Sequence, residues 1–494
     1  MYLGIDLGTS ELKLLLLDDA HRIVDSTGEP LTVSRPHPLW SEQAPADWWS
    51  ALDAAMQRLH AMQPAALRAV RAIGLSGQMH GAVLLDREEV VLRPAILWND
   101  GRSAAECAAL EAAVPTLHAV AGNVAMPGFV APKLLWLREH EPRRYAQTAR
   151  VLLPKDWLRL RLTGEVVSEM SDASGTLWLD VGARRWSDEL LAACGLTTDQ
   201  MPHLIEGSEI SGRLRPELAD RWGLRAGVVV AGGAGDNAAS AVGIGAVRPD
   251  QGFVSLGTSG VIFLAADGFR PGPRSTVHTF CHALPARWHR MSVMLSAASA
   301  LRWACRLLGF ASEGALLDRV AALSPAQRAS APLFLPYLSG ERTPHNDPHA
   351  EGVLFGLTHA HDAAAIGYAV VEGVGFGLAD GWTMLRPESG AVAALSLVGG
   401  GARSTLWAQL LASTLGITLY SHESGAAGGA LGAARLAWLA DGGDEREVCR
   451  PADVVRAFEP DGAESDSLAH RHERFRALYP ALRAQFAAAG GPVG

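Results

Sequence analysis

Lysine is almost missing from this chain. Lys13, Lys133 and Lys155 stand against forty arginines in 494 residues. None of the three follows a glycine, so there is no Walker A phosphate loop. The skew reads as compositional bias and not as a basic surface, because the net charge is −9. That balance argues against nucleic acid or an anionic membrane as a partner. Cysteine is scarce as well. Cys107, Cys194, Cys281, Cys305 and Cys449 are odd in number and include no Cys-x-x-Cys pair. This argues against a disulfide scaffold or a structural zinc site and fits the reducing cytosol. Long apolar runs are lacking too. The longest uncharged stretch, residues 112–132, holds Pro115, Gly122, Asn123, Pro127 and Gly128. Such breakers exclude the helix of ~20 apolar residues that spans a bilayer. The opening "MYLGID" reads as a core strand without the basic segment of a secretory signal.

What is present is a repeat. "LGTS" occurs at residues 7–10 and again at 256–259. Short apolar strands flank each copy, "YLGID" and "ELKLLLLDD" around the first, "GFVS" and "GVIFLA" around the second, so each predicts a hairpin. A second echo follows in each half. Residues 227–247 and 417–439 both read as a strand, a glycine-rich turn and a helix of small residues. The pattern predicts two duplicated α/β halves, 1–247 and 248–494, joined near Val247–Gln251. Residues 80–226 form a large insertion, a candidate lid or wall for a substrate. Residues 465–489 read as an amphipathic helix on Leu468, Phe475, Leu478, Tyr479 and Leu482, and "GGPVG" as a fraying end.

Small-residue turns expose backbone N–H groups that cradle anions, and Thr9, Ser10, Thr258 and Ser259 add hydroxyl donors. One such turn is ordinary hairpin chemistry; two at matching places predict a grip on a polyphosphate. Asp6 precedes the first turn where Ser255 precedes the second. A lone carboxylate beside phosphate oxygens suits Mg²⁺, though a plain turn former is the alternative. Asp236 opens a helix after "AGGAG", either as a cap or as a base that a glycine loop presents. Gly233, Gly235 and Ala238 match the dinucleotide fingerprint, but Asp250 lies in a connector and not at a strand end, which weighs against a NAD-dependent dehydrogenase. In "GGGARS" (399–404), Gly400 and Gly401 allow a base or ribose to lie on the backbone, with a helix cap as the alternative. "HTFCH" (278–282) reads as core or pocket wall.

These segments resemble the FGGY carbohydrate kinases over nearly the whole chain. "TVSRPHPLWSEQ" (32–43), "GLSGQMHGAVLLD" (74–86), "ILWNDGR" (96–102), "LLPKDWLRLRLTGE" (152–165), "FCHALPARWH" (280–289) and "LPYLSGERTPHNDP" (335–348) carry the likeness, together with the glycine motifs. The resemblance implies two ribonuclease-H-like domains of the actin and hexokinase type facing a cleft. It implies phosphorylation of D-xylulose to D-xylulose 5-phosphate with ATP and Mg²⁺, in D-xylose use. Asp236 would be the proton acceptor and Asp6 the metal and phosphate partner. Gln78, Met79, His80 and Asn237 would contact the sugar, and Thr9, Ser10, Gly257, Thr258, Gly400 and Gly401 the nucleotide. Trp40 and Trp98 are candidates to stack on the sugar. Glycerol kinases are similar but carry Arg-Glu where this chain has Met79-His80, and a ribulose kinase or a non-sugar ATPase of the actin fold are the other readings. Glu11, Val130 and Ala365 depart from the family pattern, Glu11 by placing a negative charge near the first turn. The repeat predicts closure of the halves about a pivot near 247–251; a homodimer stays open.

Overall fold

The computed structural model describes residues 1–272, 276–386, 392–422 and 428–489. The expected turn at 423–427 and the tail "GGPVG" lie outside the described residues.

The first half is built on β1 (Tyr2–Leu7), β2 (Glu11–Leu17), β3 (Ile23–Pro30), β4 (Ala72–Gly77), β5 (Ile210–Arg213) and β6 (Val229–Ala231). They lie in the order β5-β6-β4-β1-β2-β3, with the pair Ala234–Gly235 beside β4. β1, β2 and β3 are antiparallel neighbours, and β4 and β6 run parallel to β1. The second half repeats this with β7 (Gly252–Leu256), β8 (Gly260–Ala266), β9 (His278–Cys281), β10 (Trp288–Met294), β11 (Ala394–Val398), β12 (Thr418–His422) and β13 (Val454–Phe458). Their order is β9-β10-β8-β7-β11-β12-β13, so β10-β8-β7-β11-β12 reproduces β3-β2-β1-β4-β6 in order and sense. This is the two-domain actin and hexokinase-like architecture.

Strand β1 explains how the site is aimed. Successive side chains of a strand face opposite ways. Leu3, Ile5 and Leu7 pack with Trp48 and Leu52 of helix α1 (Pro45–Met62). Tyr2, Gly4 and Asp6 therefore face the other way. That face is covered by a helix from the far end of the chain: a Cβ on Gly4 would lie 1.9 Å from the Ala430 carbonyl oxygen, and one on Gly74 of β4 1.8 Å from that of Ala433. Only glycine permits so close an approach.

Three further helices matter below: α2 (Pro154–Thr163), α3 (Asp236–Ile244) and α4 (Ala363–Leu385). The helix over β1 is α5 (Gly428–Ala440), and α6 (Gly462–Ala489) closes the chain. Ala241 and Ile244 of α3 pack with Phe253, Val261 and Phe263 of the second sheet, so each half lends a helix to the other. The two lent helices touch along backbone, a Cβ on Gly432 falling 1.7 Å from the Ala239 carbonyl oxygen. Among the described residues α4 alone is long and apolar enough to cross a membrane, and 89% of its most apolar window is buried inside the second half. Helix α6 begins three residues before the expected 465, and Leu468, Phe475, Leu478 and Tyr479 pack into the same core.

Candidate active site

Register sets the first acid. Asp6 pairs with Ser76 across β1 and β4, on the face turned towards α5. The Ser76 hydroxyl donates to Asp6 Oδ1 at 2.8 Å. Burial holds the Asp6 carboxyl above its ordinary value, with Ser76 and Lys13 opposing. Gly429 at the head of α5 leaves room for it, since a Cβ there would lie 2.7 Å from Asp6 Oδ1.

Asp236 starts α3 directly after the glycine loop. Asn237 donates to its Oδ1 twice, from the backbone at 2.7 Å and from Nδ2 at 2.9 Å, which fixes the rotamer and leaves Oδ2 without a hydrogen bond among the described residues. Burial and the charge of Asp6 lift Asp236 to about 7 against those two bonds. A partly buried carboxylate near neutrality is suited to accept a proton.

Gln78, Met79 and His80 follow β4 and are buried. Met79 lies under the glycine loop, where a Cβ on Gly235 would meet its Cγ at 2.8 Å. His80 has φ +67, a conformation that costs a non-glycine residue roughly 1–3 kcal/mol. Lys133 holds it there: its buried Nζ donates to the carbonyls of His80, Gly128 and Ile96 at 2.6, 2.8 and 3.3 Å. The His80 Nδ1 lies 2.8 Å from the Gly175 carbonyl. A carbonyl only accepts, so Nδ1 carries the proton. Burial lowers His80 to about 3, so the ring is neutral and Nε2 is left as an acceptor.

The two repeated threonines have separate fates. Thr9 donates its hydroxyl to Gln78 Oε1 at 3.1 Å and accepts from Trp98 Nε1 at 3.0 Å. Gln43 donates to the Thr9 carbonyl at 2.7 Å and accepts from Gln78 at 3.0 Å. The first turn is thus woven into the Gln78 pocket. Thr258 is exposed and lines a cavity of about 680 Å³ with Gly257, Gly400 and Gly401. All the residues lining that cavity come from the second half, and Thr9 and Ser10 are not among them.

Behind the glycine loop lies a buried layer of charge that the sequence showed only as part of the insertion. Lys155 on α2 contacts Asp156, Asp172 and Glu169 at 2.8, 3.0 and 3.3 Å. Arg159 pairs with Asp156 at 2.6 Å and donates to the Gly232 carbonyl. Ser171, anchored to Glu169 at 3.0 Å, accepts from the Gly235 N–H at 3.1 Å. The layer therefore grips the loop that presents Asp236. Burial works against the charge on Lys155, but its three carboxylates outweigh that and raise it. Three acids share two cations, and burial with the neighbouring carboxylates pushes Asp172 up to about 8.

The remaining candidates divide. Trp98 borders the pocket through Thr9, whereas the Trp40 ring is covered by Arg102 at 3.6 Å and stands edge-on to Trp136. His278 hydrogen-bonds Asn123 at 2.8 Å and stacks on Phe280, a wall as expected. Glu11 bends over Gly28 of β3 towards Lys13 at 3.8 Å. Val130 is buried at a helix start, and Ala365 donates its N–H to the Asp362 cap. The insertion forms a wall: Phe129 stands edge-on to His80 at 4.7 Å, next to Gly128 and Gly175.

A first-half carboxylate held near neutrality and a second-half cavity ringed by glycine turns fit a kinase that passes a phosphoryl group to a small alcohol. Residues 1–243 match the N-terminal domain of the FGGY family of carbohydrate kinases, and residues 252–440 match its C-terminal domain. The chain belongs to the FGGY family of carbohydrate kinases. It is 53% identical over 488 residues to the xylulose kinase of Escherichia coli (strain K12), covering 98% of this chain and 99% of that one, so the likeness is not confined to the motifs. The xylulose kinase of Klebsiella pneumoniae is also 53% identical, over 98% of this chain and 99% of that protein. A crystal structure described as a xyloylose kinase from Brucella ovis superimposes with a TM-score of 0.92 at 51% identity, covering 98% of this chain and 99% of that one.

Proposed function

We propose that this chain transfers the γ-phosphoryl group of ATP to the 5-hydroxyl of D-xylulose, with Mg²⁺ accompanying the nucleotide. The observation that carries the chemistry is Asp236 itself, lifted to about 7 by burial and Asp6, with one oxygen pinned by Asn237 and the other without a hydrogen bond among the described residues. The substrate follows from the xylulose kinases to which the chain is similar over nearly its full length.

Each residue has a job in this reading. Asp236 Oδ2 takes the proton of the attacking hydroxyl. His80 Nε2 accepts from a sugar hydroxyl, and Gln78 and Asn237 line the same pocket. Thr258, Gly257, Gly400 and Gly401 receive the nucleotide. Asp6 suits a divalent cation: it is a carboxylate whose only hydrogen-bonded neighbour among the described residues is Ser76, and it lies close enough to Asp236 to raise it. The ion would supply charge neutralisation on the phosphate oxygens. Closure of the halves about the 248–251 connector would keep water from competing with the sugar.

Sugar-dependent ADP release, measured over a panel of ketoses and polyols, tests the reading. D-xylulose should give the highest kcat/KM. A higher value for glycerol or a ribulose, or ADP release that ignores sugar, overturns it.

A further inference from the structure

Arg342 reaches from the second half to Gly128 in the first. Its backbone is fixed within the second half, where Thr343 N donates to the Val293 carbonyl at 3.0 Å and Glu341 Oε1 accepts from Leu295 N at 3.0 Å. The guanidinium crosses the cleft: Nη2 lies 3.4 Å from where a Cβ on Gly128 would stand. Gly128 is the residue whose carbonyl, with that of His80, binds Lys133. Burial, and to a smaller degree the charge of Arg342, depress the proton affinity of His80, Lys133 and His278.

Among the described residues only the charge of the neighbouring Glu341 favours this cation. His80 and His278 are held neutral by burial, and Lys133 is itself a cation whose hydrogen bonds go to carbonyls. Glu341 accepts from the N–H groups of Leu295 and Arg342, its other oxygen is unpartnered, and it forms no ion pair with the guanidinium. Among the described residues the Arg342 side chain makes no hydrogen bond and no salt bridge, and loss of hydration brings its pKa down to about 10 against the charge of Glu341. The residue is only partly buried, so the planar fork of five donors stays open to an oxygen that enters from the cleft.

We propose that Arg342 is an acceptor-binding residue, donating from across the cleft to the oxygens of the sugar that lies against His80. This rests on the reading of that pocket as the ketose site. Because the second half carries Arg342 and the first half carries His80, a sugar touching both ties its own binding to closure. Gln78 Nε2 is engaged by Gln43 and by the Gly8 carbonyl, and one of the two N–H groups of Asn237 Nδ2 by Asp236.

The test is steady-state kinetics of Arg342→Ala, Arg342→Gln and Arg342→Lys. A charge-assisted hydrogen bond lost on binding raises the acceptor KM about 10- to 100-fold. Arg342→Ala and Arg342→Gln should show that rise with the KM for ATP within about 2-fold, and millimolar guanidinium chloride should restore part of the loss in the alanine variant. Thermal melting and ATP titration establish that each variant is folded. An unchanged acceptor KM overturns the assignment, as does a fall in kcat alone, which would put Arg342 on the transferring phosphoryl group. If the wild type ignores D-xylulose, the substrate reading fails by itself, and the same variants are measured with the best acceptor of the panel.

Discussion

The carboxylate of Asp6 bears on that of Asp236: after burial, its charge is the next contribution to the lift that brings Asp236 to about 7. The two groups come from opposite ends of the first half, at the end of β1 and the start of α3. Removing the charge of one must therefore move the other. In the nucleotide-free protein, ¹³C NMR should find the Asp236 carboxyl titrating near 7, and Asp6→Asn should lower that value. If the Asp236 titration stays put in the variant, the two carboxylates are not coupled.

Asp236→Asn should cut kcat by about 10²–10⁴, the usual range for a general base. It should also stabilise the fold. The unfolded carboxyl ionises near 4, whereas the folded one holds its proton to about 7, so the wild type loses stability as pH rises between those values. The melting midpoint of the variant should thus gain on that of the wild type as pH rises from about 4 to about 7. Near-normal turnover in a folded variant removes the assigned role.

Thr9→Val and Thr258→Val should separate the two copies of the turn. Thr9 joins Gln78 to Trp98, so its loss should raise the acceptor KM roughly 5-fold, as about one hydrogen bond's worth of stabilisation disappears. Thr258 lines the second-half cavity, so its loss should raise the KM for ATP instead. Equal effects on both substrates would mean that the copies act together.

Lys155→Met should destabilise the protein by roughly 3–5 kcal/mol, because three buried carboxylates would be left with Arg159 alone. Asp172→Asn should be mild at pH 7, where a group titrating at about 8 already carries its proton. Denaturant unfolding at pH 7 checks both, and a tolerated Lys155→Met would show that the layer is not what holds the glycine loop.

The doubled "LGTS", the two sheets and the place of Asp236 at a helix start were legible because each depends on neighbours in sequence. The divergence of Thr9 from Thr258 was not, since it depends on Trp98 and Gln43, which turn spacing does not reveal. Residues 155–172 were legible only as part of the insertion, yet they form the buried layer, because charges at 155, 156, 159, 169 and 172 neutralise one another only in three dimensions. The scarcity of lysine carried more than was read from it: two of the three lysines are wholly buried, each held by specific partners. Arg342 was visible only as part of a family segment, because its contact crosses between halves.

The exchange of α3 and α5 has a consequence for autonomy. The first sheet is finished by a helix encoded some 350 residues after the strands it covers, and the second sheet is finished by one encoded just before it. Severed at 248–251, the polypeptide would give an amino-terminal fragment with a bare stripe of glycine and alanine over its central strands. Its partner would carry an orphaned Ala-Gly helix with nothing to dock on. Expressed together, the fragments should recover a complete enzyme by complementation; expressed apart, neither should be a self-sufficient globule.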